Sequence, residues 1–245
     1  MRITRLYHPH PLNCGDTVSL ESNSSNHLVK VLRTLPGSPV ILFNGDGYDY
    51  HCTTLDTNHK HTGISVDSRS ERETESPLDI TLFQGLSKHD RMETTIQKCV
   101  ELGIRRIVPV LFARSNVRLD QNKRDRKVEH WTRVAISACE QSGRSRIPEF
   151  GDVIQPEEFS DKLDDIPVRI VLDPEAGKTL KDIDLQSSKL CYVIGPEGGL
   201  SRDEFELLEQ LQFQRIRFGS RILRTETAGP AVLSAMQVLW GDCGR

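Results

Sequence analysis

Three charged side chains in the C-terminal third lie in turns of the kind that hold ligands in α/β proteins. Glu197 belongs to the glycine-rich segment IGPEGGLSRDE, and Arg224 and Glu226 stand two residues apart in RILRTETA. Glycine-rich turns between a strand and a helix commonly present backbone N–H groups to a phosphate. A phosphate site would favour a lysine over the carboxylate of Glu197. The turn therefore either holds another kind of ligand or serves only as a tight connection.

A third segment, VLDPEAGKTL at 171–180, also places small and polar residues directly after an apolar run. Ligand sites of open α/β sheets gather at the carboxyl ends of the strands. The three segments, each following a short apolar run, therefore predict one shared site.

Two helix starts are predicted beside these segments. Ser201 and Glu204 have the spacing of a capping box, which explains the second half of IGPEGGLSRDE without any ligand. Thr225 or Thr227 is expected to cap the last helix. Pro230 is expected in the first turn of that helix, where a proline costs no hydrogen bond.

The elements that must position these segments change in character along the chain. Residues 1–70 are β-rich, with a hairpin around FNGDG and a short helix in SNHLVKVLRTL that ends near Pro36-Gly37. The polar stretch 68–77 is interpreted as a linker. From residue 78, short apolar strands alternate with amphipathic helices. This pattern is typical of a mostly parallel sheet covered by helices on both faces.

The composition narrows the class of protein. The chain has 245 residues and a net charge of −3, so attraction to a nucleic acid would have to come from a local patch. No apolar run approaches the roughly 18 residues of a membrane helix, and the N-terminus has no secretory pattern. The six widely spaced cysteines contain no C-x-x-C motif, which indicates reduced thiols in a cytoplasmic protein.

Several segments, in the same order along the chain, resemble one family. Besides IGPEGGLSRDE and RILRTETA, they are RITRLYHP, NHLVKVLR, FNGDG, IQKCVELGI and ACEQSGRSRIPE. Together they are similar to the SPOUT-class RNA methyltransferases, and within that class to the RsmE family. This family methylates N3 of a uridine in small-subunit (16S) ribosomal RNA. The resemblance covers nearly the whole chain.

The resemblance implies an architecture and a cofactor. The expected fold is α/β: a PUA-like RNA-binding β-domain at 1–72, then a SPOUT methyltransferase domain at 73–245 whose C-terminal part forms a trefoil knot. A homodimer is expected, acting on small-subunit ribosomal RNA in the assembled subunit. S-adenosylmethionine is expected in the knot. The residues that would hold it are Leu172, Asp173, Pro174, Ile194, Gly195, Glu197, Gly198, Gly199, Leu200, Ile222, Leu223, Thr225, Thr227 and Ala228.

The chemistry of uridine N3 suggests roles for the charged pair. N3 carries an imide proton, so a base must take it or cations must stabilise the imidate. We hypothesise that Arg224 stabilises the developing negative charge and that Glu226 orients it or accepts the proton. The alternative is a structural ion pair at a helix start, where a carboxylate is already favoured. Glu197 is expected to bond nearby backbone N–H groups, with contact to cofactor or substrate as the alternative.

Positively charged and polar residues outside these turns are the predicted RNA contacts. They are Arg2, Arg5, His27, Lys30 and Arg33 in the small domain, and Lys88, Arg91, Gln141 and Arg144 in the larger one. The alternative is that they are solvated surface groups. No metal site is expected, because the histidines lack cysteine or carboxylate partners at ligand spacing.

Two other functions remain open from the sequence alone. A related knotted enzyme could act on a ribose 2′-oxygen or on tRNA. A ribosome-binding protein could keep the pocket and lack catalysis, although the intact segment RTE at 224–226 argues against this.

Overall fold

The computed structural model describes residues 3–88, 90–116 and 121–244. The chain forms two compact units: the first comprises residues up to Glu75 together with Cys139–Ile147, and the second comprises Ser76–Ala138 and the chain from Pro148 onward. The sequence suggests one boundary, between residues 72 and 73. No local sequence pattern predicts that residues 139–147 belong to the first unit.

The first unit is built on a sheet of five strands within the described residues. They are β1 (Thr4–Tyr7), β2 (Thr17–Ser19), β3 (Pro39–Phe43), β4 (Tyr48–Thr54) and β5 (Gly63–Glu71), in the order β1-β3-β4-β5-β2. Only the β1–β3 pair is parallel. The predicted hairpin is confirmed, since β3 and β4 pair across a turn in which Gly45 and Gly47 have positive φ. The predicted linker starts too early, because β5 continues to Glu71.

The predicted short helix of the first unit is observed in two pieces. Helix α1 spans Ser22–Asn26, and a π-helical turn at His27–Val31 continues it. Both end earlier than predicted, and Arg33 with φ of 55° lies just beyond them. A left-handed residue of this kind commonly follows a helix end. Leu28 anchors the turn in the core of the unit.

A buried ionic network holds the returning segment within the first unit. Arg5 Nη1 lies 2.5 Å from Asp49 Oδ2, and Arg5 Nη2 donates to Ser145 Oγ at 2.9 Å. Ser145 Oγ in turn donates to Asp49, and Arg144 pairs with Glu75. The sequence predicts Arg5 and Arg144 as RNA contacts. The structure places both side chains in this network. Their side chains are only 5% and 4% exposed.

The second unit contains a parallel sheet with six strands in the described ranges. They are β6 (Asp79–Gly85), β7 (Arg106–Val110), β8 (Glu149–Phe150), β9 (Val168–Leu172), β10 (Lys189–Ile194) and β11 (Gln214–Ile216), in the order β11-β9-β10-β6-β7-β8. Every neighbouring pair is parallel, which confirms the predicted α/β class.

Helices connect these strands. They are α2 (Asp90–Glu101), α3 (Gln121–Ser142), α4 (Arg202–Gln210) and α5 (Thr225–Leu239), with short 3₁₀ turns at Pro156–Glu158, Ser160–Lys162 and Leu180–Asp182. As predicted, α2 buries an apolar stripe that includes Met92 and Ile96. It ends at Glu101, two residues before Gly103, whose φ is 82°. It packs against α5.

Strand β10 is tied to helix α5 by a buried phenol. The hydroxyl of Tyr192 donates to the carbonyl of Gly229 at 3.1 Å. Burial raises the pKa of Tyr192 well above its ordinary value, so the hydroxyl keeps its proton and remains a donor. This bond holds α5 against β10.

The described ranges contain neither a membrane-spanning helix nor a metal-binding cluster. None of the helices there has the length and apolar character needed to cross a membrane. No three His, Cys, Asp or Glu side chains in the same ranges lie close enough together to hold a metal ion.

Candidate active site

A cavity of about 1030 Å³ opens at the carboxyl edge of the parallel sheet in the second unit. Its walls come from the segments that follow β9, β10 and β11, from one face of α4, from the start of α2 and from the first turn of α5. Parallel strands bring their carboxyl ends to one edge, so the segments that follow them meet there. The three segments singled out in the sequence do lie together.

Most residues that the resemblance assigns to the cofactor line this cavity. They are Leu172, Asp173, Pro174, Ile194, Gly195, Glu197, Gly199, Leu200, Ile222, Leu223, Thr225 and Ala228. Arg224 and Glu226 also lie on its wall. Gly198 and Thr227 belong to the same segments but are not among the described lining residues.

Sequence reasoning missed part of the wall. Arg217, Phe218 and Gly219 line the cavity directly after β11, and Arg91 reaches it from the start of α2. The run RIRFG at 215–219 is predicted as a strand, but β11 ends at Ile216, so residues 217–219 belong to the segment that follows it. The sequence predicts Arg91 as an RNA contact, and the structure places it on the wall of this cavity as well.

The glycine-rich turn has a defined shape. Gly199 has φ of 68° and donates its N–H to the carbonyl of Pro196 at 2.9 Å, a backbone conformation that favours glycine. Arg114 Nη1 donates to the carbonyls of Gly198 and Leu200 and so holds the turn from outside. The predicted capping box follows, with Glu204 N–H donating to Ser201 Oγ at 3.2 Å. The turn is therefore fixed without any ligand.

The turn passes very close to the end of β6. A Cβ built on Gly85 would lie 2.5 Å from the backbone nitrogen of Pro196, a contact that real side chains do not make. Nearby, Thr225 Oγ1 donates to the carbonyl of Gly195 at 3.0 Å and accepts from Gln84 Nε2 at 2.9 Å. These contacts bind the end of β6, the glycine-rich turn and the start of α5 into one structure.

The start of α5 differs from the prediction. Thr225 and Thr227 do not cap the helix, because the N-cap position belongs to Arg224, which makes no side-chain cap bond. Pro230 is the sixth residue of α5 and lies inside the helix, beyond the first turn. Its ring has no N–H for the carbonyl of Glu226 four residues earlier. Tertiary contacts of Thr225 and Gly229 hold the helix start in place of a cap.

Glu226 lies between two guanidinium groups. Its Oε1 is 3.9 Å from Arg91 Nε and 3.9 Å from Arg224 Nη1, distances at which charges attract without a hydrogen bond. Its Oε2 is buried and has no hydrogen-bond partner. A carboxylate oxygen removed from water in this way needs a donor. Arg224 and Glu226 are therefore close to each other, but no hydrogen bond satisfies the buried oxygen of Glu226.

Glu197 connects the glycine-rich turn to the start of α2. Its Oε1 accepts from Arg91 Nη1 at 2.8 Å and from the backbone N–H of Lys88 at 3.4 Å. The bond to a backbone N–H expected of this carboxylate thus comes from another segment and not from its own turn. Glu197 holds Arg91 at the cavity wall.

Asp173, assigned to the cofactor by resemblance, is occupied by a structural contact. Arg215 Nε donates to Asp173 Oδ2 at 2.7 Å, and Arg215 Nη1 donates to Glu209 Oε1 at 2.9 Å. These bonds to Glu209 and Asp173 raise the pKa of Arg215, so its charge is permanent. The carboxylate of Asp173 fixes β11 beside β9 and has little capacity left for a ligand.

The remaining predicted RNA contacts lie on the surfaces of the two units. His27, Lys30, Arg33 and Gln141 are exposed in the first unit. Lys88 and Arg91 line a smaller cavity of about 400 Å³ in the second unit. Arg2 lies outside the described residues.

Comparisons with known proteins decide the family. The sequence model of the RNA methyltransferase domain matches residues 74–237, and that of the RNA methyltransferase PUA domain matches residues 20–61. The chain belongs to the RNA methyltransferase family. Ribosomal RNA small subunit methyltransferase E of Buchnera aphidicola (subspecies Schizaphis graminum) is 34% identical over 98% of this chain and 98% of its own.

Solved structures of this RNA methyltransferase's relatives agree with that assignment. Ribosomal RNA small subunit methyltransferase E from Neisseria gonorrhoeae, solved bound to S-adenosylmethionine, is 36% identical with a TM-score of 0.90, over 99% of this chain and all of that one. A Legionella pneumophila protein solved with the same cofactor is 35% identical with a TM-score of 0.94, at the same coverage. The family and the α/β fold with its PUA domain are thus shown.

Proposed function

We propose that this RNA methyltransferase transfers a methyl group from S-adenosylmethionine to N3 of a uridine in small-subunit ribosomal RNA. The observation that carries the proposal is Glu226, whose buried Oε2 has no donor while two guanidinium groups flank its Oε1. A proton acceptor beside two cations suits a substrate that must lose a proton and gain negative charge. The names of the relatives support ribosomal RNA of the small subunit as the substrate.

The lining of the large cavity fits S-adenosylmethionine. Apolar side chains of Leu172, Ile194, Leu200, Ile222 and Leu223 line it together with carboxylates and backbone groups. Apolar walls with a few polar groups suit an adenine ring, and an acidic wall does not repel a sulfonium. S-adenosylmethionine, when bound, supplies the methyl group from its sulfonium. The turns that follow β9, β10 and β11 would hold it.

The side chains of this chain would manage the proton and the charge. The imide proton of N3 passes to Glu226 Oε2, which is the acceptor without a partner. Arg224 is 81% exposed and free to turn toward a carbonyl oxygen of the uracil, where negative charge accumulates. Arg91 holds the other side of Glu226. The arrangement needs no metal ion for these steps.

Four further features belong to the same proposal. The C-terminal part forms a trefoil knot, as the resemblance to knotted methyltransferases implies. Two chains form a homodimer through a face that includes Val238 and Leu239, which are exposed apolar residues near the end of α5.

The first unit binds RNA through the residues His27, Lys30 and Arg33. The reaction takes place in the cytoplasm on the assembled small subunit.

The identity of the methylated nucleoside tests this function. The protein is incubated with methyl-labelled S-adenosylmethionine and, separately, naked small-subunit RNA, tRNA or assembled small subunits, and the RNA is digested to nucleosides. We expect labelled 3-methyluridine from the assembled subunit. A ribose-methylated nucleoside or label in tRNA would assign the related knotted activity. No label in any substrate would assign a binding protein.

A further inference from the structure

Helix α3 carries a local excess of positive charge in its first half. Residues 123–133 include five lysines and arginines and two carboxylates, in a chain whose net charge is −3. A nucleic acid is attracted by such a local patch even where the field of the whole molecule does not favour it. This part of α3 contains none of the RNA contacts predicted from the sequence.

The positive and negative side chains of α3 lie on different faces of the helix. Successive residues are about 100° apart around a helix axis, which places the basic side chains within an arc of about 120°. This basic face comprises Lys123, Arg126, Lys127, His130 and Arg133. Asp125 and Glu129 lie outside the arc, and both line a cavity of about 300 Å³ beside Val128 and Val153. No residue of the basic face is among the described residues that line that cavity.

The charges of the basic face are accessible to a ligand. Lys123, Arg126 and Arg133 are exposed. Arg133 lies 2.7 Å from Glu129, but the two side chains are 62% and 69% exposed. An exposed pair of this kind is weak and is screened by salt. The ammonium of Lys127 lies 5.8 Å from the centre of the Trp131 ring, a cation–π contact that does not neutralise its charge.

The basic face is connected to the walls of the large cavity within the second unit. His130 Nε2 lies 2.8 Å from Glu93 Oε1 on α2, and Arg91, in the first turn of α2, lines the cavity. Arg114, in the segment between β7 and α3, donates to the carbonyls of Gly198 and Leu200 in the glycine-rich turn. A strand bound along the basic face therefore lies beside the elements that form the reaction site.

We propose that the basic face of α3 binds the phosphate backbone of the substrate RNA, away from the nucleotide that is methylated. From Lys123 to Arg133 the face is about 15 Å long, at a rise of about 1.5 Å per residue, so it reaches several successive phosphates. Lysine and arginine contacts to phosphates position an RNA without reading its sequence. The inference rests on the proposed function for the identity of the RNA.

Neutralising part of the basic face tests the proposal in the full-length protein. Each phosphate contact to a single strand contributes about 0.7 to the slope of log K against log salt concentration. Lys123→Gln combined with Arg126→Gln should therefore lower the slope for small-subunit RNA by about 1.4, measured by fluorescence anisotropy. The affinity for S-adenosylmethionine and the single-turnover rate at saturating RNA should not change, because neither residue lines the large cavity.

The matched control changes the net charge by the same amount elsewhere in the second unit. Lys162→Gln combined with Lys181→Gln alters two exposed positions and should leave the slope unchanged. An equal fall in both double variants would overturn the proposal, because the loss would then follow net charge. If Lys123→Gln with Arg126→Gln does not fold, as judged by circular dichroism, Arg126→Gln alone should lower the slope by about 0.7.

The remaining outcomes separate the basic face from other partners and from the proposed function. An unchanged slope in the Lys123→Gln and Arg126→Gln protein would overturn the proposal. Weaker binding to assembled subunits with unchanged binding to naked RNA would assign the face to an acidic protein and would overturn it as well. The expected difference in slope, in a protein that methylates no uridine, would support the basic face and overturn the proposed function alone.

Discussion

At the scale of single residues, the charged side chains differ in how completely their polar atoms are paired. Arg5 pairs with Asp49 in the first unit, although its buried Nε has no hydrogen-bond partner, and Arg215 pairs with Asp173 beside the cavity. Glu226 keeps a buried oxygen without a partner. Ion pairs joined by hydrogen bonds stabilise the structure, whereas a carboxylate oxygen without a partner at a cavity wall is available for chemistry. This distinction assigns structural contacts to Arg5 and Asp173, and their predicted contacts with RNA and cofactor stay predictions.

Removing Arg5 tests that reassignment. Arg5→Met would leave the carboxylate of Asp49, which is 3% exposed, without its main partner. Removing one member of a buried ion pair costs about 3–5 kcal/mol, so the free energy of unfolding in urea should fall by that amount. Arg126→Met, a change at an exposed position of α3, should alter it by less than about 0.5 kcal/mol. A stable Arg5→Met protein with weakened RNA binding would restore Arg5 as an RNA contact.

At the scale of elements, sequence patterns predict the features that are formed by interactions between residues close in the chain. The alternation of apolar strands and helices, the hairpin at FNGDG and the capping box at Ser201 follow from residue spacing, and the structure confirms them. The start of α5 was not predictable in this way. Thr225 bonds to Gly195, which is 30 residues away, so its hydroxyl is not available as a cap. Nothing in the spacing of RTETAGP reveals that partner.

The meeting of β6 with the glycine-rich turn can be tested with one methyl group. Gly85→Ala places a Cβ 2.5 Å from the nitrogen of Pro196, so the backbone of the turn must shift. We expect the dissociation constant of S-adenosylmethionine to rise at least about tenfold in calorimetry, which corresponds to about 1.4 kcal/mol. Gly177→Ala meets no atom within 4 Å and is the matched control. Equal affinities in the two variants would show that the turn tolerates displacement.

At the scale of the whole molecule, sequence order and spatial grouping differ. Composition and segment order were sufficient for two domains and for the family. The return of 139–147 to the first unit was not predictable, because the contacts of Arg5 and Asp49 with Ser145 join residues that are 140 and 96 positions apart. The net charge of −3 likewise gives no sign of an RNA partner. We expect the exposed side chains of His27, Lys30 and Arg33, which lie in or just after the π-helical turn, to form a local patch.

Salt dependence measures whether that patch binds RNA. Each phosphate contact to a single strand contributes about 0.7 to the slope of log K against log salt concentration. The double variant Lys30→Gln and Arg33→Gln should therefore reduce the slope by about 1.4, measured by fluorescence anisotropy with small-subunit RNA. Lys60→Gln, an exposed change in the same unit, should leave it unchanged. An unaltered slope in the double variant would place the RNA on another surface.

The rate of methyl transfer in a single turnover tests the role of Glu226 most directly. Glu226→Gln keeps the size of the side chain and removes its capacity to accept the N3 proton. General base catalysis contributes about 10²–10⁴ in rate, so we predict a fall of at least about 100-fold with unchanged affinity for S-adenosylmethionine. Glu157→Gln, at an exposed carboxylate outside the cavity, should retain the wild-type rate. A Glu226→Gln protein that methylates uridine at the full rate would contradict the account.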